Sequence, residues 1–307
     1  MKPSITNVYV TTSDCSILVV ESTNPFGYTI SGISQYKFKL IADCRLIMAP
    51  DTIRVFDGLV NTVTITEKGD KVSISADFEH PTSYEIKLQR GIPERLEISF
   101  DRSFIKNRIK DKVIIIDPGH GGKEVGQRGY INLLEKNVVL DIAGYLKQRL
   151  NLYGAYAVMT REKDVTMKLK DRIQTAALLE ADIFIGIHTN WDLDKNVNGA
   201  KGTYQGEKSQ ILCETIIGEL GKKLKLKNLG TSEDNNVNEI LQSQYIKGIP
   251  YVNIEVCTIS NPVEEGWLRS PVFKERVAVA IMNGIIKHIV NSVHTNFSAK
   301  KSRYVLT

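Results

Sequence analysis

Hydrophobic and polar positions follow different rules in the two halves of the chain. From Ile5 to Phe104 apolar residues alternate with polar ones in short runs, as in Thr62-Val63-Thr64-Ile65-Thr66 and Val72-Ser73-Ile74-Ser75. A two-residue period places one face of a strand on a core and leaves the other wet. Glu67-Lys68-Gly69-Asp70-Lys71 lies between those two runs and predicts a β-hairpin, with Gly69 free to take a positive φ. Tyr84–Leu88 and Leu96–Phe100 repeat the pattern, and Asn24-Pro25-Phe26-Gly27, Ala49-Pro50-Asp51, His80-Pro81 and Gly91-Ile92-Pro93 punctuate it. Short strands at this spacing predict an all-β sandwich or barrel.

From Val113 the period changes. Val113–Ile116, Tyr156–Thr160, Ile183–Ile187 and Tyr251–Val256 read as strands. Between and after them, helical stripes run over Lys136–Leu150, Leu169–Leu179, Ser209–Leu224 and Pro271–Val290. Strand–helix alternation predicts an α/β domain with a mostly parallel twisted sheet flanked by helices. The charge-rich segment Asp101–Lys112 lies between the halves. The expected domains are therefore residues 1–108, an all-β sandwich, and residues 109–307, the α/β domain.

Composition narrows the classes. A chain of 307 residues, 42% hydrophobic and 24% charged, is ordinary for a globular protein, which excludes disorder, collagen and coiled coil as the main architecture. The longest apolar runs have strand length, so no membrane span is expected. A net charge of +5 is too small to argue for a nucleic-acid partner, though it would suit a polyanionic surface. Cys15, Cys44, Cys213 and Cys257 form no C-x-x-C pair and fit neither a disulfide scaffold nor a zinc knuckle. A Cys15–Cys44 bridge is conceivable; four buried free thiols is the plainer reading. Met1–Asn7 lacks the apolar core of a signal peptide.

Chemistry-bearing residues follow the buried strands, where α/β sheets place their ligands. Asp117-Pro118-Gly119-His120-Gly121-Gly122 follows the first strand, His188-Thr189-Asn190 the third, and Glu255 ends the fourth. Glu135 opens the helix after the glycine-rich loop, where a helix N-terminus favours a carboxylate. Two histidines and one carboxylate with an open fourth position make a common catalytic zinc set, and a further carboxylate can take a proton from water. Taken singly, each of the four residues also has a purely structural explanation. Their joint placement favours a metal, because a mostly apolar strand needs a reason to hold Glu255.

Five ordered motifs carry a resemblance. They are Ile115–Gly122, Glu135-Lys136, Thr160-Arg161 with Asp164, Ala181-Asp182 leading to Ile187-His188-Thr189-Asn190, and Ile254-Glu255 followed by Ser260-Asn261-Pro262. Over residues 113–290 the chain resembles the zinc-dependent N-acetylmuramoyl-L-alanine amidases of the Amidase_3 family. This resemblance implies Zn2+ bound by His120, Glu135 and His188, with Glu255 as the catalytic general base. It implies hydrolysis of the amide between the lactyl group of N-acetylmuramic acid and the L-alanine of the stem peptide, with peptidoglycan as substrate. The expected location is then the cell wall, outside the membrane, and the visible start that of a truncated chain. The N-terminal half, through Phe56-Asp57-Gly58-Leu59-Val60-Asn61 and the hairpin from Thr62, resembles the AMIN domain. That likeness implies targeting to peptidoglycan, or to division or sporulation partners.

The motifs depart from the family at several positions. Glu124 stands where an aspartate is common, Gln127 replaces a small residue, and Val256-Cys257-Thr258 replaces a Gly-Phe pair. An arginine common in the family has no counterpart near Gln242–Tyr245. Cys257, two residues from Glu255, is expected on the same side of the strand, which makes a thiol ligand conceivable. The short interval from His188 to Glu255 leaves little room for an inhibitory helix, so an open site is expected. His80, His288 and His294 read as surface residues, Arg161, Asp164 and Arg172 as structural ion pairs, and the tail from Thr295 as frayed. Two alternatives stay open: a non-catalytic peptidoglycan-binding or regulatory protein, and a zinc carboxypeptidase acting on wall peptides.

Overall fold

The computed structural model describes residues 2–32, 34–234 and 248–302, with residues 293–302 described by backbone alone. The expectations for His294, for most of the tail from Thr295 and for part of the His188–Glu255 interval therefore lie outside the described side chains. The chain divides into two compact units, Met1–Asn107 and Arg108–Thr307.

The first unit is built from β1 (Ser4–Thr12), β2 (Ser16–Ser22), β3 (Tyr28–Ile30), β4 (Lys37–Ala42), β5 (Arg45–Leu46), β6 (Asp51–Arg54), β7 (Val60–Lys68), β8 (Lys71–Phe78), β9 (Tyr84–Gln89) and β10 (Glu94–Phe100). They form two five-stranded sheets, ordered β5-β1-β2-β10-β9 and β3-β4-β8-β7-β6. β7 and β8 make the expected hairpin, with Gly69 at φ +62°. Alternation does what the sequence requires: Val72, Ile74 and Ala76 of β8 and Leu96, Ile98 and Phe100 of β10 are fully buried. Phe100 meets Phe38 of β4 at 5.5 Å and Phe78 of β8 at 4.6 Å, so aromatic rings of both sheets share one core.

The Phe56–Asn61 turn has a specific anchor. Asp57 accepts from the N–H groups of Leu59 and Val60 at 3.0 and 2.8 Å and faces the Arg102 guanidinium at 3.2 Å. Arg102, one of the charges of the supposed boundary segment, is buried and also donates to the Ser13 carbonyl and the Ser16 hydroxyl. The segment itself forms helix α1 (Ser103–Ile109). His80, expected at the surface, is buried and stacks on Phe104 at 6.1 Å, because its imidazole offers a largely apolar face. Cys15 and Cys44 are free thiols, as are Cys213 and Cys257.

The second unit contains β11 (Val113–Pro118), α2 (Glu135–Leu152), β12 (Tyr156–Met159), α3 (Leu169–Leu178), β13 (Ile183–Asn190), β14 (Ala200–Tyr204), α4 (Gly206–Leu224), β15 (Asn228–Glu233), β16 (Tyr251–Thr258), α5 (Pro262–Arg269) and α6 (Pro271–Ser302). Its six-stranded sheet runs β12-β11-β13-β16-β14-β15. Every pairing is parallel except β14 with β16, so the sheet is mostly parallel and mixed at one junction. Ile115, Phe184 and Tyr251 stand in register on one face and pack against Ile173 and Ala176 of α3. Ile114, Ile116 and Ile185 are buried on the other face, with α2 over β11–β13, α4 on the β14–β16 side and α6 packed against α2 and α4. Two steps beyond Phe184 and four beyond Tyr251 on the α3 side of the sheet, the apolar pattern gives way to Gly186, His188 and Glu255. Among the described residues no helix is long and apolar enough to cross a membrane.

Candidate metal centre

His188 of β13 and Glu255 of β16 are register partners, so the two strands carry an imidazole and a carboxylate side by side. His120 reaches the same end of the sheet from the loop after β11. Its φ is +59°, a left-handed conformation unusual for a residue with a Cβ. Glu135, the first residue of α2, is buried at 1% exposure and bridges the two rings. Its Oε2 lies 3.2 Å from His120 Nε2 and its Oε1 3.2 Å from His188 Nδ1. Ligand atoms of His120, Glu135 and His188 all lie within 4.8 Å of one another.

Backbone groups complete the carboxylate's surroundings. The N–H of Gln127 donates to Oε2 at 2.6 Å and that of Thr189 to Oε1 at 2.9 Å. Burial pushes the Glu135 carboxyl up, but the hydrogen bonds to His120 and His188 and the Gln127 N–H outweigh it and hold the group well below the usual carboxylate range. The same hydrogen bond to Glu135 raises His120 above its ordinary value, against burial. Two glycines give the site its closeness. A Cβ on Gly119 would lie 2.2 Å from His188 Cε1, and one on Gly126 would lie 2.5 Å from both Glu135 Oε2 and the His120 ring.

The donor set fits a divalent cation. Two imidazoles and one carboxylate on converging backbone elements match the borderline-soft preference of zinc, and three protein ligands leave a position for water. Glu124 lies with Oε1 2.9 Å from His120 Nδ1, which leaves Nε2 as the nitrogen facing the cluster.

Glu255 stands apart from this trio. It faces Lys201 of the antiparallel β14, its register partner, at 3.3 Å between Nζ and Oε2. Burial raises the Glu255 carboxyl above its ordinary value and the Lys201 charge opposes the rise. Cys257 does not join the site. β16 spends three steps where β13 spends two, pairing Glu255 with His188 and Thr258 with Asn190. This bulge breaks the alternation that would have kept Cys257 beside Glu255. Cys257 is fully buried, and burial pushes its thiol well up, followed by the nearby Glu264 charge.

Two buried arginines hold the histidine loop from below. Arg161 donates to the carbonyls of Pro118 and Gly119 at 3.0 and 2.7 Å, and Arg172 to those of Pro118 and His120 at 2.8 and 2.7 Å. Arg172 forms the expected kind of ion pair, with Asp117 at 2.7 Å. Asp164 does not pair with Arg161 by contact; it binds Lys136 at 2.6 Å and the Gly122 N–H at 2.7 Å. His288, expected at the surface, is half-buried on α6, and burial lowers its imidazole.

The model of the family described as N-acetylmuramoyl-L-alanine amidase (Amidase_3) matches residues 114–287. The chain belongs to that amidase family. It is 34% identical over 197 residues to the probable cell wall amidase LytH of Staphylococcus epidermidis, covering 64% of each chain. It is 34% identical over 188 residues to the N-acetylmuramoyl-L-alanine amidase LytC of Bacillus subtilis, covering 60% of this chain and 37% of that one. The chain thus spans less than two thirds of the length of either relative. Among solved structures, the amidase AmiC2 of Nostoc punctiforme superposes with a TM-score of 0.54 at 29% identity, over 58% of this chain and 97% of that one. The described residues between 114 and 287 accordingly have the fold of the amidase family.

Within this amidase unit the sequence reading missed the roles of four residues. Glu124 was legible only as a departure from a family aspartate, yet its carboxylate four residues after His120 is the ring's orienting partner. Arg161 and Arg172 read as ion-pairing residues, whereas most of their donors go to loop carbonyls. Lys201 gave no signal, because β14 is short and its pairing with β16 is non-local.

Proposed function

We propose that this chain is a zinc-dependent N-acetylmuramoyl-L-alanine amidase that hydrolyses the bond between the lactyl group of N-acetylmuramic acid and the L-alanine of the stem peptide. The observation that carries the reading is the convergence of His120, Glu135 and His188 within 4.8 Å, with Glu255 in register beside His188. His120, Glu135 and His188 would hold the metal. When bound there, zinc supplies Lewis acidity, which polarises a carbonyl and makes water acidic near neutral pH. Glu255 takes the proton of the attacking water and returns it to the departing L-alanine nitrogen. The Lys201 charge opposes the rise that burial imposes on the Glu255 carboxyl. The buried position of Glu135 excludes water from its side of the site.

The substrate places the action of the protein in the cell wall, outside the membrane. Residues 1–108, in this reading an AMIN-like sandwich preceding the catalytic domain at 109–307, target the enzyme to peptidoglycan or to partners at a division or sporulation site. Retention of the intact protein on purified sacculi, compared with a chain carrying surface substitutions in β9, checks the targeting role.

The deciding experiment incubates metal-loaded protein with muropeptides and weighs the products. A free stem peptide with L-alanine at its new amino terminus supports the amidase. Release of a single terminal residue identifies a carboxypeptidase instead, and no product at all identifies a binder.

A further inference from the structure

Two loops and helix α5, at the end of the sheet that carries His120, His188 and Glu255, expose apolar side chains. Residues 128–133 lead into Glu135 and expose Tyr130 at 50% and Ile131 at 65%. Residues 191–198 follow His188 by three positions and expose Trp191 at 39% and Leu193 at 82%. Helix α5 follows Glu255 by seven positions and exposes Val263 and Trp267. Isolated exposed apolar residues need no explanation, but a set shared by linked loops marks a binding surface.

These three segments are physically joined. The Lys195 ammonium lies 4.0 Å from the centre of the Tyr130 ring. The Asn261 side chain donates to the Lys195 carbonyl at 2.8 Å, and the Asp192 N–H donates to the Ser260 hydroxyl at 2.9 Å. Glu265, buried at 1%, accepts from the N–H groups of Ile131 and Leu133, and Arg269 donates to the Ile131 carbonyl at 2.6 Å. A Cβ on Gly129 would lie 2.3 Å from the Glu265 carboxyl carbon, so this loop is held tightly against α5. The rim is therefore pre-ordered, which lowers the entropy lost when something binds it.

We propose that this rim, with the exposed rings of Trp191 and Tyr130, is a saccharide subsite that takes the glycan strand next to the scissile amide. The proposal rests on the amidase reading for its choice of ligand. In that substrate the lactyl group is an ether of the muramic acid ring, so a carbonyl placed at His120 and His188 puts the sugar ring only a few bonds away. Three residues of chain reach at most roughly 11 Å, so Trp191 lies within about two sugar rings of His188. A pyranose presents a face of C–H groups and an edge of hydroxyls. A flat indole or phenol beside polar loop side chains offers the complement, with apolar contact on the face and hydrogen bonding at the rim. A free stem peptide has no such flat face. Of the two groups the amide joins, the rim thus suits the sugar.

The test uses the intact chain and glycan strands stripped of their stem peptides, titrated calorimetrically without any bond being cleaved. Trp191→Ala is expected to weaken binding about 3–10-fold, Trp191→Phe to restore most of it, and Tyr130→Ala to weaken it in the same direction. Unchanged thermal unfolding of each variant shows that the rim and not the fold was altered, and Tyr130→Ala carries the test if Trp191→Ala does not fold. A wild-type chain that ignores stripped glycan overturns the proposal. So does equal binding by all the variants. A loss confined to free stem peptides, or to phosphatidylglycerol vesicles, assigns the rim to those ligands and also overturns it. Glycan binding through Trp191 without release of peptide from muropeptides would sink the amidase activity and leave the subsite standing; release of peptide with no Trp191 effect would do the reverse.

Discussion

Arg172 donates through Nη2 to the backbone oxygen of His120 at 2.7 Å, at a residue whose φ is +59°. A left-handed conformation costs a side-chain-bearing residue of order 1 kcal/mol or more and persists only where its surroundings impose it. Arg172 also binds Asp117 and the Pro118 carbonyl, so one planar guanidinium fixes the strand end and the loop together. Lysine cannot reproduce that fork. Arg172→Lys is expected to weaken zinc affinity about 10–100-fold while the protein stays folded. Competition with a chromogenic chelator, alongside circular dichroism, measures both.

The proposed function makes Glu255 the base and not a ligand. Glu255→Gln should therefore leave zinc affinity within about twofold and slow turnover by roughly 10²–10⁴. Metal content and muropeptide hydrolysis, measured on the same preparation, separate the two effects. Full activity in this variant would remove Glu255 from the mechanism.

The acid limb of the activity profile follows from burial. Burial raises the Glu255 carboxyl above its ordinary 4.5, and Lys201 restrains the rise. A base is useful only when deprotonated, so kcat/KM should climb with pH through a value above 4.5. Lys201→Met removes the restraining charge and is expected to move that limb to higher pH. An unmoved limb would show that another group controls it.

Gly119 has no room for a side chain. A Cβ there would lie 2.2 Å from His188 Cε1, well inside contact distance. Gly119→Ala should displace the His188 ring and lower zinc affinity and turnover together. Zinc titration of the variant is the direct check. Retention of wild-type affinity would mean that the β11 loop yields more readily than its arginine contacts imply.

In the first unit the same logic applies to stability. Arg102 and Asp57 form a buried pair at 3.2 Å, and Asp57 also caps the N–H groups of Leu59 and Val60. Removing one partner of a buried pair typically costs about 3–5 kcal/mol, because the other charge is left without compensation. Asp57→Asn is expected to lose a cost of that order in urea unfolding followed by circular dichroism. A loss below about 1 kcal/mol would show that the Ser13 and Ser16 contacts suffice to hold Arg102.

Local periodicity made β7, β8, β10, β11, β13, α2 and α3 readable, because burial on one face imposes a period on the sequence. β14 and β15 escaped notice: Ala200-Lys201-Gly202-Thr203-Tyr204 has neither alternation nor an apolar run, and its place in the sheet comes from pairing with distant β16. The meeting of His120, Glu135 and His188 was legible because each follows or opens a recognisable element. The Cys257 position was not, since a bulge leaves no mark on hydrophobic pattern. The burial of Arg102 was not legible either, because the pattern of charges along a segment does not tell which of them finds a buried partner.

One reversal of strand direction divides responsibilities inside the amidase unit. His188 and Glu255 arrive on strands running one way, whereas Lys201 reaches Glu255 on a strand that runs back towards them. The segment feeding that strand, from Trp191 to Asn198, supplies none of the trio that would grip the ion. If the proposed saccharide subsite holds, mutation in that one surface stretch would change which polymer is held, with the residues that would grip the ion left as they are.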